Sequence, residues 1–123
     1  MNGIFYYQES NSLYLLRFYE DYTVIGVTTS ATLSEMSIVL SWFDKENSRK
    51  SYSEGKYTLT DSNKIHFILK SSEGEVEYKG EVLKNQEIKL SIHSHINNYR
   101  YDETYILYEQ AINSGIKSNK KKV

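Results

Sequence analysis

Glu75-Val76-Glu77-Tyr78-Lys79-Gly80-Glu81-Val82 alternates charged and apolar side chains at a period of two. Successive side chains of a strand point to opposite faces, so Val76, Tyr78 and Val82 take one side and Glu75, Glu77, Lys79 and Glu81 the other. One face is dry and the other wet, as in an antiparallel sheet with a single solvated face. Glu87 to His93 repeats the design, with Ile88, Leu90 and Ile92 inward, and Lys64 to Lys70 puts Ile65, Phe67 and Leu69 on one face.

Polar turn signals separate such runs at nearly even spacing: Glu9-Ser10-Asn11-Ser12, Glu20-Asp21-Tyr22, Asp61-Ser62-Asn63, Ser71-Ser72-Glu73-Gly74, Lys84-Asn85-Gln86 and Asn97-Asn98. Connections that short join antiparallel neighbours. The pattern predicts eight strands near residues 3–8, 13–19, 22–29, 54–60, 64–70, 75–83, 86–94 and 100–109. The chain has no proline to mark a protected edge strand. Closing the meander into an all-β, eight-stranded antiparallel up-and-down barrel removes the edges altogether.

One segment breaks the alternation. Thr32-Leu33-Ser34-Glu35 has the form of a capping box, and Leu33, Met36, Val39, Leu40 and Phe43 follow at three- and four-residue steps, widened by Ile38 and Trp42. This predicts one helix between the third and fourth strands, running to about Phe43. So apolar a helix must cover something, either the barrel mouth as a plug or an outer wall. The polar loop 45–53 that follows reads as mobile.

At 123 residues and 14.4 kDa the chain is one domain, expected over residues 1–116 with a basic, disordered tail at 117–123. A chain this long can bury roughly two-thirds of its surface, enough for a core without staples. The absence of cysteine excludes a disulfide scaffold, a thiol nucleophile and cysteine-ligated metal. Four lysines fall in the last seven residues, so residues 1–116 carry 11 basic against 16 acidic residues, a charge of −5. An acidic body opposes the phosphate contacts that dominate nucleic-acid affinity, and no nucleic acid is expected as a partner. Neither a signal segment nor a stretch of about 18 apolar residues is present, so a cytoplasmic protein without a membrane span is expected.

Two patches resemble a known family. Gly3-Ile4-Phe5-Tyr6 is similar to the Gly-x-Trp-Tyr opening strand of lipocalin-like (calycin-type) barrels, with Phe5 in place of tryptophan. Tyr14-Leu15-Leu16-Arg17-Phe18-Tyr19, with Asp21, Thr23, Val24 and Ile25, resembles a hairpin of small lipocalin-like bacterial domains and of the C-terminal β domain of some F-box proteins. The likeness runs on through Gly55-Lys56-Tyr57 and Glu103-Thr104-Tyr105. It implies a lipocalin-like fold and a barrel that holds a ligand; no F-box segment is present, so ubiquitin-ligase function does not carry over. Tyr22 stands where that family has glycine, at a turn position that favours positive φ, and predicts a strained or longer hairpin.

Candidate chemistry is sparse. His93-Ser94-His95 puts two imidazoles on one strand face, which a metal site could use with a third ligand from a neighbouring strand. Both lie on the wet face and no acid follows at the spacing of a cupin-type motif, so no metal and no cofactor are expected. His66 reads as a surface histidine. No nucleophile elbow, phosphate loop or dinucleotide fingerprint occurs, and no catalytic residue is assigned.

The aromatic interior is the main functional clue. Parity turns Tyr14, Leu16, Phe18, Tyr57, Leu59, Phe67, Leu69, Tyr78, Ile88, Leu90, Tyr105 and Leu107 inward, and an eight-stranded barrel is either filled by its side chains or holds one small ligand. Arg17 shares a face with Leu13, Leu15 and Tyr19, which makes it a stacked outer arginine; a one-residue slip would make it a carboxylate anchor. The expected function is a non-catalytic protein that binds a small apolar or aromatic molecule through Tyr14, Phe18, Tyr57, Phe67, Tyr78, Tyr105 and Arg17, with Trp42 on the helix near the mouth. The alternative is a filled barrel that meets another protein or a second copy through outward Leu15 and Tyr19. An enzyme of unknown reaction comes third.

Overall fold

The computed structural model describes residues 1–47, 52–84 and 86–108. Eight strands follow in chain order: β1 Gly3–Glu9, β2 Ser12–Phe18, β3 Thr23–Thr29, β4 Ser53–Leu59, β5 Lys64–Ser71, β6 Gly74–Val82, β7 Glu87–Ser94 and β8 Arg100–Leu107. Each pairs antiparallel with the next, and β8 returns to β1, closing the barrel. The closing seam is short: Phe5 opposes Leu107, Tyr6 opposes Ile106, and the Tyr108 amide donates to the Ile4 carbonyl at 2.8 Å. The end of the predicted domain and the basic tail lie outside the described residues, as does the middle of loop 45–53.

Parity holds throughout. All twelve side chains expected inward belong to the inner core cluster, joined by Phe5, Tyr7, Val24 and Ile92. The inner face divides by size. Toward the end closed by the 19–22, 60–63 and 83–86 turns, Phe18 packs edge-on against Phe5, Tyr57 and Phe67 at centroid distances of 5.6, 5.3 and 5.5 Å. The buried Tyr57 hydroxyl donates toward the carbonyls of Tyr19, at 2.6 Å, and Met1, at 2.9 Å, which satisfies the one polar atom of this plug.

The helix is shorter than its apolar stripe predicts. Leu33–Glu35 forms a 3₁₀ turn and α1 covers Met36–Leu40, with the Phe43 amide still bonded to the Val39 carbonyl at 2.9 Å. The Glu35 carboxylate reaches back to the Thr32 amide at 2.8 Å, as the capping box requires. The Glu35 amide, however, bonds the Thr32 carbonyl, which tightens the first turn to 3₁₀. Only Met36, Val39 and Phe43 are buried, while Ile38 is 63% exposed, because a convex barrel wall touches one narrow stripe of a helix.

Of the two placements left open, the helix takes the outer wall. Met36, Val39 and Phe43 form a second core with Leu13, Leu15 and Ile25 from the outer faces of β2 and β3. Two expectations are corrected by this. Trp42 packs against the outer cluster and not near the mouth, and Leu15 and Tyr19, expected on an exposed docking patch, lie under the chain's own helix. Arg17 faces the same outer cluster, so it is not a lumen anchor.

The hairpin between β2 and β3 keeps its short turn at a conformational cost. Tyr22 adopts φ 70°, in the left-handed region that disfavours a side chain. Its neighbours hold it there: the Tyr22 amide donates to the Tyr19 carbonyl at 3.1 Å, the Tyr57 amide donates to the Tyr22 carbonyl at 2.9 Å, and Asp21 Oδ1 accepts from the Thr23 amide at 3.0 Å.

Candidate functional site: a tyrosine-lined lumen

The half of the barrel opposite the phenylalanine plug is hollow. On β3 and β4 the inward positions toward the 10–11, 72–73 and 95–99 turns are Gly26, Thr28 and Ser53, too small to meet the opposite wall. A Cβ on Gly26 would press on the Leu69 and Leu16 side chains, so the glycine also lets those leucines close the floor. The result is a cavity of about 500 Å³, within the usual range of small-molecule sites of roughly 300–1,000 Å³.

Tyrosine makes most of the wall. Tyr7 stacks on Tyr14 with the rings parallel to 1° and 4.4 Å apart, and meets Tyr105 edge-on at 4.9 Å. Across the lumen, Tyr78 stacks on Phe67 at 4.6 Å, joining the hollow half to the filled one. The Tyr7 and Tyr101 hydroxyls are neighbours, and their interaction favours the neutral phenol of Tyr7. Burial pushes the phenols of Tyr7, Tyr78 and Tyr105 far above the ordinary tyrosine value, and neighbouring tyrosines add to the shift. All three are neutral hydrogen-bonding groups at physiological pH.

The charge of the lining is one-sided. Glu9 and Glu103 line the cavity, whereas the Asp102 carboxylate accepts from the Ser91 hydroxyl on the outer face, and among the described residues no lysine, arginine or histidine lines it. Glu103 opposes Leu90 in the β7–β8 ladder, on the face that also carries Tyr101 and Tyr105, so its carboxylate belongs to the lumen side.

Of the residues expected to bind a ligand, Tyr14, Tyr78 and Tyr105 line this cavity. Phe18, Tyr57 and Phe67 face inward but fill the other half. Trp42 and Arg17 lie outside the barrel. The sequence reading missed Tyr7, Tyr101 and Glu103, although the period-two rule applied along β1 and β8 places all three inward with Phe5 and Tyr105. Comparison with protein-family models, with curated proteins and with solved structures finds no match. What stands is the architecture, an eight-stranded antiparallel barrel consistent with a lipocalin-like fold. Among the described residues no helix is long and apolar enough to cross a membrane.

Proposed function

We propose that this barrel is a non-catalytic binding protein that holds one small aromatic molecule in its tyrosine-lined half. The kinship to lipocalin-like bacterial domains, and to the β domain of F-box proteins, is part of this reading and rests on the Gly3-Ile4-Phe5-Tyr6 and Tyr14–Ile25 patches. One observation carries the functional claim: the lumen is hollow where its walls are stacked tyrosines and carboxylates, and packed solid elsewhere.

The lining also supports a choice of charge. Tyrosine faces attract cations, and Glu9 and Glu103 repel carboxylates and phosphates, so a neutral or amine-bearing aromatic ring suits the site better than a fatty acid. Titration calorimetry with phenethylamine, the neutral alcohol 2-phenylethanol and phenylacetate tests this. Saturable binding of the amine, weakened about tenfold or more in Glu103→Gln and Tyr78→Ala and absent for phenylacetate, is expected. Tighter binding of phenylacetate than of the amine, or binding of none of the three, would overturn the reading.

A further inference from the structure

The chain has three histidines, His66, His93 and His95, and the fold gathers all of them around one carboxylate on the outer wall. Glu77 of β6 is the direct cross-strand partner of His93 on β7, which supplies the third ligand that the His93-Ser94-His95 pair lacks in sequence. The ligand atoms of Glu77, His93 and His95 all lie within 4.8 Å of one another. We infer that Glu77, His93 and His95 form a binding site for a divalent transition-metal ion, with Zn²⁺ the fitting probe.

Two of the three ligands are oriented by a neighbour outside the set. The His66 Nε2 lies 2.7 Å from Glu77 Oε2 and fixes the carboxylate, while Oε1 faces His95 Nε2 at 3.5 Å. The His93 Nε2 pairs with the side-chain oxygen of Asn98 at 2.8 Å. An Nε2–H that donates to Asn98 leaves the lone pair on Nδ1, and outer hydrogen bonds of this kind set the tautomer and raise the basicity of metal-ligating imidazoles. The two imidazole rings sit 4.3 Å apart, so modest side-chain rotations bring both nitrogens to one ion. Two imidazoles and a carboxylate suit ions of borderline softness such as Zn²⁺, and a three-ligand set on an exposed rim leaves a coordination position for water. Lys79 Nζ lies 4.0 Å from Glu77 Oε2 and Arg100 opposes His93 across the β7–β8 ladder; both cations are on exposed side chains that can swing clear.

Calorimetric titration of the full, tag-free chain with Zn²⁺ is the test, paired with Cu²⁺ electron paramagnetic resonance. One saturable site is expected, weakened at least about tenfold in Glu77→Gln and in His93→Asn. His66→Asn, which removes a positioning residue and no ligand, should weaken it less than either. Nitrogen hyperfine structure should appear with the wild-type chain and weaken in a His93→Asn/His95→Asn double variant, in which His66 is the one imidazole left. Each variant is first checked for an unchanged far-UV spectrum; all four positions lie on the outer face, so a fold defect in one leaves the others informative. No saturable uptake, or uptake unaltered by both Glu77→Gln and His93→Asn, would overturn the inference.

Discussion

The guanidinium of Arg17, next to the last residue of β2, donates to the backbone carbonyl of Phe43 at 2.6 Å, just past the end of α1. The same group stacks 5.1 Å above the Tyr19 ring and lies 3.6 Å from the Asp44 carboxylate. A charged donor thus satisfies a helix-end carbonyl that would otherwise be stranded beside the wall, and it fixes where the 33–43 segment lands.

Arg17→Met keeps the apolar stem and removes the donor. A hydrogen bond from a charged group contributes about 1.5–3 kcal/mol, and the partly exposed Asp44 pair adds little. The variant should unfold at lower urea with a loss in that range, and Trp42 emission should shift to the red as the helix loosens. Unchanged stability and emission would mean that apolar contact alone docks the helix.

Asp21 gives a pH signature. Hydrogen bonds from the Lys45 ammonium and from Thr23 hold its carboxyl well below the usual carboxylate range. A depressed value means stability that is present above the unfolded carboxyl's pKa, about 3.9, and lost as pH falls through the folded value. Wild type should therefore melt above Asp21→Asn at pH 6, with the gap closing as the pH is taken toward 2. A constant gap would show that the carboxylate's charge is immaterial there.

The buried phenols act at the other end of the scale. Unfolded tyrosines ionise near pH 10, whereas Tyr7, Tyr78 and Tyr105 keep their protons in the fold. Above about pH 10 the unfolded chain binds fewer protons than the folded one, so stability falls as pH rises. Absorbance titration should find part of the chain's 12 tyrosines ionising only with loss of the far-UV signal. A single transition of all of them on an intact fold would contradict the burial described.

The division of the lumen predicts unequal costs of truncation. Phe18→Ala removes the ring at the centre of the plug and should cost about 3–5 kcal/mol in denaturant unfolding. Tyr14→Ala removes a ring that already faces open space on one side and should cost well under half as much. Equal losses would mean that both halves are packed alike.

Much of this was legible in local pattern. The charge alternation of Glu75–Val82 placed β6, and the same period set inward and outward faces on every strand, including the outward Arg17. A further signal lay unread: Leu13, Leu15, Leu16 and Phe18 make β2 apolar on both faces, unlike β6 and β7, which marks the wall that must be covered twice. The hollow half was likewise foreshadowed by Gly26, Thr28 and Ser53, but only strand registers place those small residues at one level of the barrel.

Alternation is determined by the sequence alone, because consecutive Cβ atoms of an extended chain must point opposite ways. Neighbours across the ladder are different in kind. Glu77 meets His93 across a 16-residue separation, and Tyr7 meets Tyr101 and Tyr105 only because β8 returns to β1. Those meetings depend on turn lengths and on closure of the barrel, which no short window of sequence contains. The strands and their faces were therefore written in the chain, while the cavity, the landing site of the helix and the histidine cluster were decided by the tertiary structure.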